Sequence, residues 1–353
     1  MVPNVGAVHA RMLLEHFGNA ENIFKANRKD LIHLEGIGEI KAHSIKSFLH
    51  FKKVEEEIKF IDKYQINPLF IQSENYPQRL LNCYDAPIML YYKGMANLNQ
   101  AKIISIIGTR NNTDYSKQLV DDLLEDLISD EVIIVSGMAY GVDAIAHKIS
   151  IQKNIPTVAV LAHGFNSMYP SIHKNLAKEM VANGGLLTEF LHDVKADKHN
   201  FPKRNRIVAG IADCTIVVET AIKGGSMITA ELANSYNRDV FAFPGKVYDT
   251  KSDGCNYLIK TNKAVLLTNA QQLKENMGWL EIKKNKKKQK ELFIQLTNDE
   301  ELIVKILQKS DTVHIDEIYI SSGLSSSQSA AAILSLELQN VIGSLPGKMY
   351  KLL

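Results

Sequence analysis

Six consecutive residues, Phe201-Pro202-Lys203-Arg204-Asn205-Arg206, carry the densest concentration of interaction chemistry in this chain. Three cations in four positions stand beside an aromatic ring and an amide. Those are the parts needed to hold a polyanionic strand: charges that follow phosphates and a ring face on which a base stacks. From His192 to Arg206, five Lys or Arg stand against two Asp, a net +3 in fifteen residues. A solvated loop is the plain alternative. Solvated loops favour lysine, however, and paired arginines around Asn205 point to fixed hydrogen bonds.

Glycine turns form the second group of candidates. Gly108-Thr109-Arg110 and Ser136-Gly137-Met138-Ala139-Tyr140-Gly141 each follow a run rich in β-branched residues. Amides in such turns approach an anion closely, and a helix starting directly after them favours negative charge. A phosphate is the natural guest, and the fork of Arg110 can clamp it. The bland alternative is a turn whose glycines only satisfy backbone geometry. Gly224-Gly225-Ser226-Met227-Ile228-Thr229 offers a second cradle of the same kind, and Tyr169 and Lys174 add an aromatic and a cation after the third apolar run. Asp143 and His147 lie one helical turn apart, a spacing that serves either proton transfer or the tethering of a loop.

Nucleotide-cofactor signatures fail on details. Gly137-x-Ala139-x-Gly141 is not GxGxxG, and Ala162-His163-Gly164 stands where a ribose-binding acid belongs, which argues against NAD. Gly343-x-x-x-Gly347-Lys348-Met349 is one residue short of a P-loop and lacks its Ser or Thr. Cys83, Cys214 and Cys255 are scattered and show no CxxC spacing, so neither a disulfide framework nor a zinc cage is expected, and no cofactor or metal is called for.

The elements that must position these residues follow from apolar patterning. Runs at 103–107, 132–135, 157–161, 186–188, 215–218, 240–243 and 265–267 read as buried strands. Helical patterns at 117–128, 142–152, 173–182 and 227–236 lie between them. Buried strands joined by crossover helices give a mainly parallel, doubly wound α/β sheet covered on both faces. Its ligand crevice lies beyond the carboxyl ends of the strands, where the glycine turns fall.

Length points to more than one domain, since 353 residues exceed the usual span of a single core. With 45% hydrophobic and 23% charged residues the chain is globular rather than disordered. The first 60 residues read as helical pieces with a weak repeat of 32 residues, Pro3 to Ala10 against Glu35 to Ala42, each placing Gly before a helix in helix-hairpin-helix fashion. Residues 1–75 balance ten basic against ten acidic side chains, so the head has no net attraction for DNA. Residues 75–96, with Pro77 and Pro87, read as a lead-in to the sheet. The run KKNKKKQK at 283–290 reads as a basic linker, and residues 291–353 carry a net −4. Three helices and a hairpin in that tail form a winged-helix pattern whose third helix contains no Lys or Arg, which disfavours base reading. The expected division is therefore 1–75, 76–282, 283–290 and 291–353. No apolar run reaches the length of a membrane span and Met1 to Phe17 lacks a signal-peptide pattern, so a cytoplasmic protein without membrane contact is expected.

Taken in order, Ile107-Gly108-Thr109-Arg110, Ser136 through His147, Tyr169-Pro170, Phe201 through Arg206, Gly225 through Ala230 and Phe243-Pro244-Gly245 resemble the motifs of the bacterial DNA-processing protein A family, DprA/Smf. The resemblance implies a Rossmann-like sheet domain between a helical head and a winged helix. It also implies a non-catalytic protein that binds single-stranded DNA, dimerises, and loads the recombinase RecA during natural transformation. The family's phosphate pocket carries over onto Gly108, Thr109, Arg110, Ser136, Gly137, Arg204, Asn205, Arg206 and Ser226, with Lys174 as a further lining cation. The residues' own chemistry adds Gly141, Phe201, Lys203, Gly225 and Thr229. On this reading Arg110 and Arg204 both stand at the crevice mouth, and removing either weakens strand binding without disturbing the fold. The rival reading is a nucleoside monophosphate phosphoribohydrolase, whose PGGxGTxxE motif leaves Gly224, Gly225 and Glu231 in place here but replaces its Pro, Gly and Thr by Lys223, Met227 and Ile228.

Overall fold

The computed structural model describes residues 1–280, 296–339, 341–345 and 347–352, which divide into two compact units, Met1–Trp279 and Leu280–Leu353. The lysine run at 283–290, expected as a linker, lies outside the described residues.

Five helices open the first unit: α1 (Ala7–Phe17), α2 (Ala20–Lys25), α3 (Arg28–Ile32), α4 (Glu39–Lys46) and α5 (Phe51–Tyr64). The sequence repeat is structural. Gly6 (φ −86°, ψ 178°) and Gly38 (φ −82°, ψ 179°) lead into α1 and α4 with the same extended backbone. The two copies touch through Asn4 Nδ2, which donates to Ser44 Oγ at 3.1 Å, and through Lys41 Nζ, 2.9 Å from His9 Nε2. This head shares one core with the sheet that follows, where Leu13, Leu31 and Ile45 join Leu69, Ile103 and Val135.

The sheet and its covering helices run β1 (Asn67–Phe70), α6 (Gln78–Leu81), β2 (Met89–Gly94), β3 (Lys102–Ile107), α7 (Asp114–Glu125), β4 (Val132–Ser136), α8 (Val142–Gln152), β5 (Thr157–Val160), α9 (Lys174–Asn183), β6 (Gly185–Thr188), α10 (Asn200–Ile211), β7 (Cys214–Val217), α11 (Gly225–Ser235), β8 (Asp239–Ala242), α12 (Asp253–Lys260), β9 (Val265–Leu266) and α13 (Ala270–Asn276). Nine strands pair in the order β1-β2-β6-β5-β4-β3-β7-β8-β9, and every pairing from β6 to β9 is parallel. Alternation along β3 shows why both faces are covered: Ile103 and Ile107 enter one core cluster, Ile104 and Ile106 the other. Burial of each such side chain contributes about 1.5–3 kcal/mol.

One expectation is corrected. Residues 89–94, read as part of a lead-in, form β2, which pairs antiparallel with β6 and carries β1 on its outer edge. The sheet begins with β1 at Asn67–Phe70. The cationic run at 201–206, for which a solvated loop is the plain alternative, lies inside α10, whose first turn accommodates Pro202 because the amides there have no intrahelical acceptor.

From β3 the chain builds outward through β4, β5 and β6, then returns to the other side of β3 to lay down β7, β8 and β9. The crevice of this doubly wound sheet opens between the carboxyl ends of β3 and β7, where the direction of winding reverses.

The second unit is a winged helix with α14 (Asn298–Leu307), β10 (Val313–His314), α15 (Ile315–Ser322), α16 (Ser326–Leu338), β11 (Ile342–Leu345) and β12 (Met349–Leu352). Its strands pair in the order β10-β12-β11, and Ile303, Leu307, Ile318, Ile333 and Leu336 form its own core. Among the described residues no helix is long and apolar enough to cross a membrane.

Candidate nucleic-acid interface

A cleft of about 550 Å³ occupies the switch point. Its walls come from the turn after β3, the turn after β4, the first turns of α10 and the turn into α11. Of the sequence candidates it gathers Gly108, Thr109, Arg110, Gly137, Phe201, Arg204, Asn205, Gly225, Ser226 and Thr229.

The backbone of these turns is fixed by their neighbours. Thr109 N–H donates to the Glu219 carbonyl at 2.7 Å, and the Thr109 carbonyl accepts Val142 N–H at 3.1 Å, tying the β3 turn to the start of α8. Gly141 holds φ at +75°, and a methyl group there would overlap the Thr109 carbonyl, so this position requires glycine for two reasons. Glu219, buried after β7, accepts Thr113 N–H at 3.0 Å and the Thr113 hydroxyl at 2.8 Å, which anchors the start of α7. At α11, Gly224 provides no side-chain cap, so the amides of Gly225 and Ser226 lack an intrahelical acceptor. Gly225 has open space around its Cα, and Ser226 Oγ donates to Thr220 Oγ1 at 2.7 Å. A partial positive charge therefore faces the cleft.

The three cations of the α10 run go to three different places. Arg204 is only 4% exposed, and its guanidinium donates to the carbonyls of Gly137 and, at 2.8 Å, Val160. Its Nε donates to Asn205 Oδ1 at 3.0 Å. Burial brings its pKa down to about 10, which leaves it charged at neutral pH. Arg204 thus forms the charged floor of the cleft and joins the ends of β4 and β5. It does not stand free at the mouth, and the expectation that its removal spares the fold is corrected. Arg206 donates to the Asp85 carbonyl and pairs with Glu189, away from the cleft. Lys203 is exposed and does not line the cleft.

Arg110 holds the mouth. It is exposed, and its guanidinium lies over the Phe201 ring, 5.1 Å from the centroid. Phe201 in turn meets Tyr169, with centroids 5.8 Å apart. A cation with two rings beside it provides a phosphate contact and a stacking platform within one reach.

Other candidates lie outside. Ser136 is fully buried and its hydroxyl donates to the Ile106 carbonyl at 2.6 Å, so it shapes the turn from below. Gly141 supports the turn rather than lining the cleft. Lys174 lines a different cleft beside α9.

Asp143 and His147 resolve into tethers. Asp143 is buried and lines the cleft, and its carboxylate accepts Ala139 N–H at 3.3 Å. Burial pushes its pKa up, opposed by the Arg204 charge. The Thr157 hydroxyl donates to the Ile134 carbonyl at 3.1 Å and so accepts from His147 Nδ1 at 2.7 Å. Burial takes the His147 pKa down to about 3, and its ring is neutral. Glu231, which the phosphoribohydrolase reading requires, is exposed, lies 3.6 Å from Lys263 and does not line the cleft.

Lys198 was counted in the +3 stretch but not singled out. It lines the cleft from the segment leading into α10, three residues before Phe201. Its signal lies in Pro202, a residue favoured near a helix start, which places Lys198 just ahead of α10.

Comparison with known proteins finds relatives across the whole chain. The family model for DNA recombination-mediator protein A matches residues 67–278, a helix-hairpin-helix motif matches residues 1–58, and a DprA winged helix domain matches residues 290–348. Protein Smf of Synechocystis is 30% identical over 99% of this chain and 96% of its own length. The solved structure of DNA processing protein A from Streptococcus pneumoniae superposes with a TM-score of 0.66 at 29% identity, covering 76% of this chain and 93% of that one. DNA processing protein A from Helicobacter pylori, described with a single-stranded DNA binding mode, gives a TM-score of 0.55 at 32% identity over 61% of this chain and 96% of that one.

Proposed function

This chain belongs to the DNA recombination-mediator protein A family, the DprA/Smf proteins, and we propose that it holds single-stranded DNA in the cleft at the switch point of its sheet. The observation that carries the proposal is the Arg110 guanidinium stacked over Phe201 at the mouth of a cleft whose floor holds a buried arginine. A phosphate entering the cleft meets Arg110, the amides of Gly225 and Ser226, and the field of Arg204. A base at the mouth stacks on Phe201 or Tyr169. Lys198 joins this set. Ser136, Gly141 and Thr229 hold the walls, Lys203 adds long-range attraction, and Arg206 supports α10 from behind. The single-stranded DNA binding described for the H. pylori relative supports the reading.

In this reading the strand-bound protein is a dimer that delivers DNA to RecA during transformation or recombination. The edge strand β9 supports the dimer, since Val265 and Leu266 stay 45% and 38% exposed on a sheet edge that is unpaired among the described residues. The division into a helical head (1–75), a strand-holding sheet domain (76–282), a basic linker (283–290) and a winged helix (291–353) belongs to the same proposal.

Fluorescence anisotropy against matched single- and double-stranded oligonucleotides at two salt concentrations tests it. The expected result is preferential binding of the single strand that weakens with salt, from phosphate neutralisation. Equal or absent binding of the single strand by folded protein overturns the proposal. Sizing chromatography and a RecA-filament assay on the bound strand test the dimer and the delivery step.

A further inference from the structure

A second cleft, also of about 550 Å³, lies between α9, the loop leading into it, and the rung where Lys93 of β2 faces Leu186 of β6. Its floor is apolar, formed by Phe165, Met168, Val181 and Leu186, and its rim carries Lys93, Lys174 and Lys178. Among the described residues no carboxylate lines it. Three cations gathered without a counter-charge repel one another, and an anion relieves that cost.

Two observations say which anion. Lys174 and Lys178 are exposed one turn apart on α9, about 6 Å along the helix axis, a spacing comparable to that of successive phosphates on a nucleic-acid strand. A small crevice lies between this cleft and the first: it shares Arg110, Gly137 and Phe201 with the first cleft, and its Tyr169-Pro170 wall is flanked in sequence by Met168 and Ser171 of the second. One short segment, 168–171, is a wall of both the second cleft and this crevice. A strand whose base stacks on Phe201 or Tyr169 passes over that wall and meets the lysines.

We propose that this cleft is a second subsite for the same single strand, taking a base against Phe165 and Met168 and phosphates on Lys93, Lys174 and Lys178. The proposal rests on the reading of the first cleft as a single-strand site. It gives Lys174 a role at a different place from the pocket that the sequence assigned to it.

The test uses the full chain and thymidylate oligonucleotides of about 5 and about 15 nucleotides, within the range of single-strand site sizes. The triple variant Lys93→Ala/Lys174→Ala/Lys178→Ala is expected to lose about tenfold or more in affinity for the long strand, less than about twofold for the short one, and about 2 in the log–log salt slope for the long strand. Undiminished affinity for the long strand, or an equal loss on both lengths, overturns the subsite. If the triple variant matches wild type while Arg110→Ala weakens both lengths, the first reading stands and the second falls. If wild type binds neither length, the first reading fails and takes this one with it. Should the triple variant melt below wild type, the exposed pair Lys174→Ala/Lys178→Ala carries the same comparison.

Discussion

Two helices of this chain invite assignment to nucleic acid, and they differ in an instructive way. Helix α10 opens with three cations in four residues, whereas α16 holds the position from which a winged helix reads a groove. On α10 most of that charge is spent inside the protein, Arg204 on the carbonyls of Gly137 and Val160 and Arg206 on Glu189 and Asp85. The accessible charge at the cleft instead comes from loop residues, Arg110 and Lys198. On α16 no cation exists, and Leu334 and Leu338 are exposed beside Glu337. Neither charge count nor position within a motif locates a nucleic-acid contact. In the proposed reading the guide is which cations remain unpaired, among the described residues, beside open amides, a condition met in the sheet unit.

The contrast is easiest to break at Arg204. Arg204→Ala is expected to cost about 3 kcal/mol or more in stability, because it strips a buried charge from its partners. A urea titration that finds the variant as stable as wild type would return Arg204 to the list of free cations. Next in size is an acid response that separates the two units. The depressed pKa of His147 supplies stability that is present above its ordinary value of 6.5 and is lost as pH falls toward about 3. The stability difference between wild type and His147→Gln should therefore shrink by about 1.4 kcal/mol per pH unit below 6.5. Trp279, the sole tryptophan, packs against the core of the sheet unit and reports its unfolding. In the tail, hydrogen bonds from Ser335 and Thr297 lower the Glu300 pKa, so the corresponding difference for Glu300→Gln should hold until pH falls below about 4.5. A shared onset would mean that the units do not titrate separately.

Arg110→Ala should weaken single-strand affinity about tenfold and reduce the salt slope by about 0.7, the share of one phosphate, with an unchanged melting temperature. A loss of stability instead would make Arg110 a structural residue like Arg204. The smallest effect is expected from deleting residues 291–353, whose net charge is −4. Anisotropy should find single-strand affinity within about twofold of wild type, since that module brings no excess of phosphate-neutralising charge. A tenfold loss would move the interface toward the winged helix.

Much of the fold could be read because parallel strands buried on both faces announce themselves. Ile103 to Ile107 and Val132 to Val135 are apolar or small at every position and belong to a sheet with helices on each side. By contrast β1 and β2 were missed because Pro68 and Pro87 interrupt the pattern and because β2 finds its partner, β6, some ninety residues later in the chain. Long-range antiparallel pairing leaves no local trace. Helix α10 was masked by its own charges, although Ile207, Val208 and Ile211 carry its apolar side and Pro202 marks its start. Within the site, the glycine turns were legible from composition alone. The inward aim of Arg204 and the separate cleft of Lys174 were not, because the direction a side chain takes from a helix is set by what packs against it.

Gly137 was described as part of a turn held by Arg204 below, while Asp143 holds Ala139 two residues on. In kinetic terms, if the cleft holds a strand as proposed, this wall is already in place before the strand arrives. Association then has no loop to order, so its rate should follow diffusional encounter and ionic strength, with a single exponential and a weak dependence on temperature. Differences in affinity among variants with an intact wall should appear in how long the strand stays, not in how fast it comes.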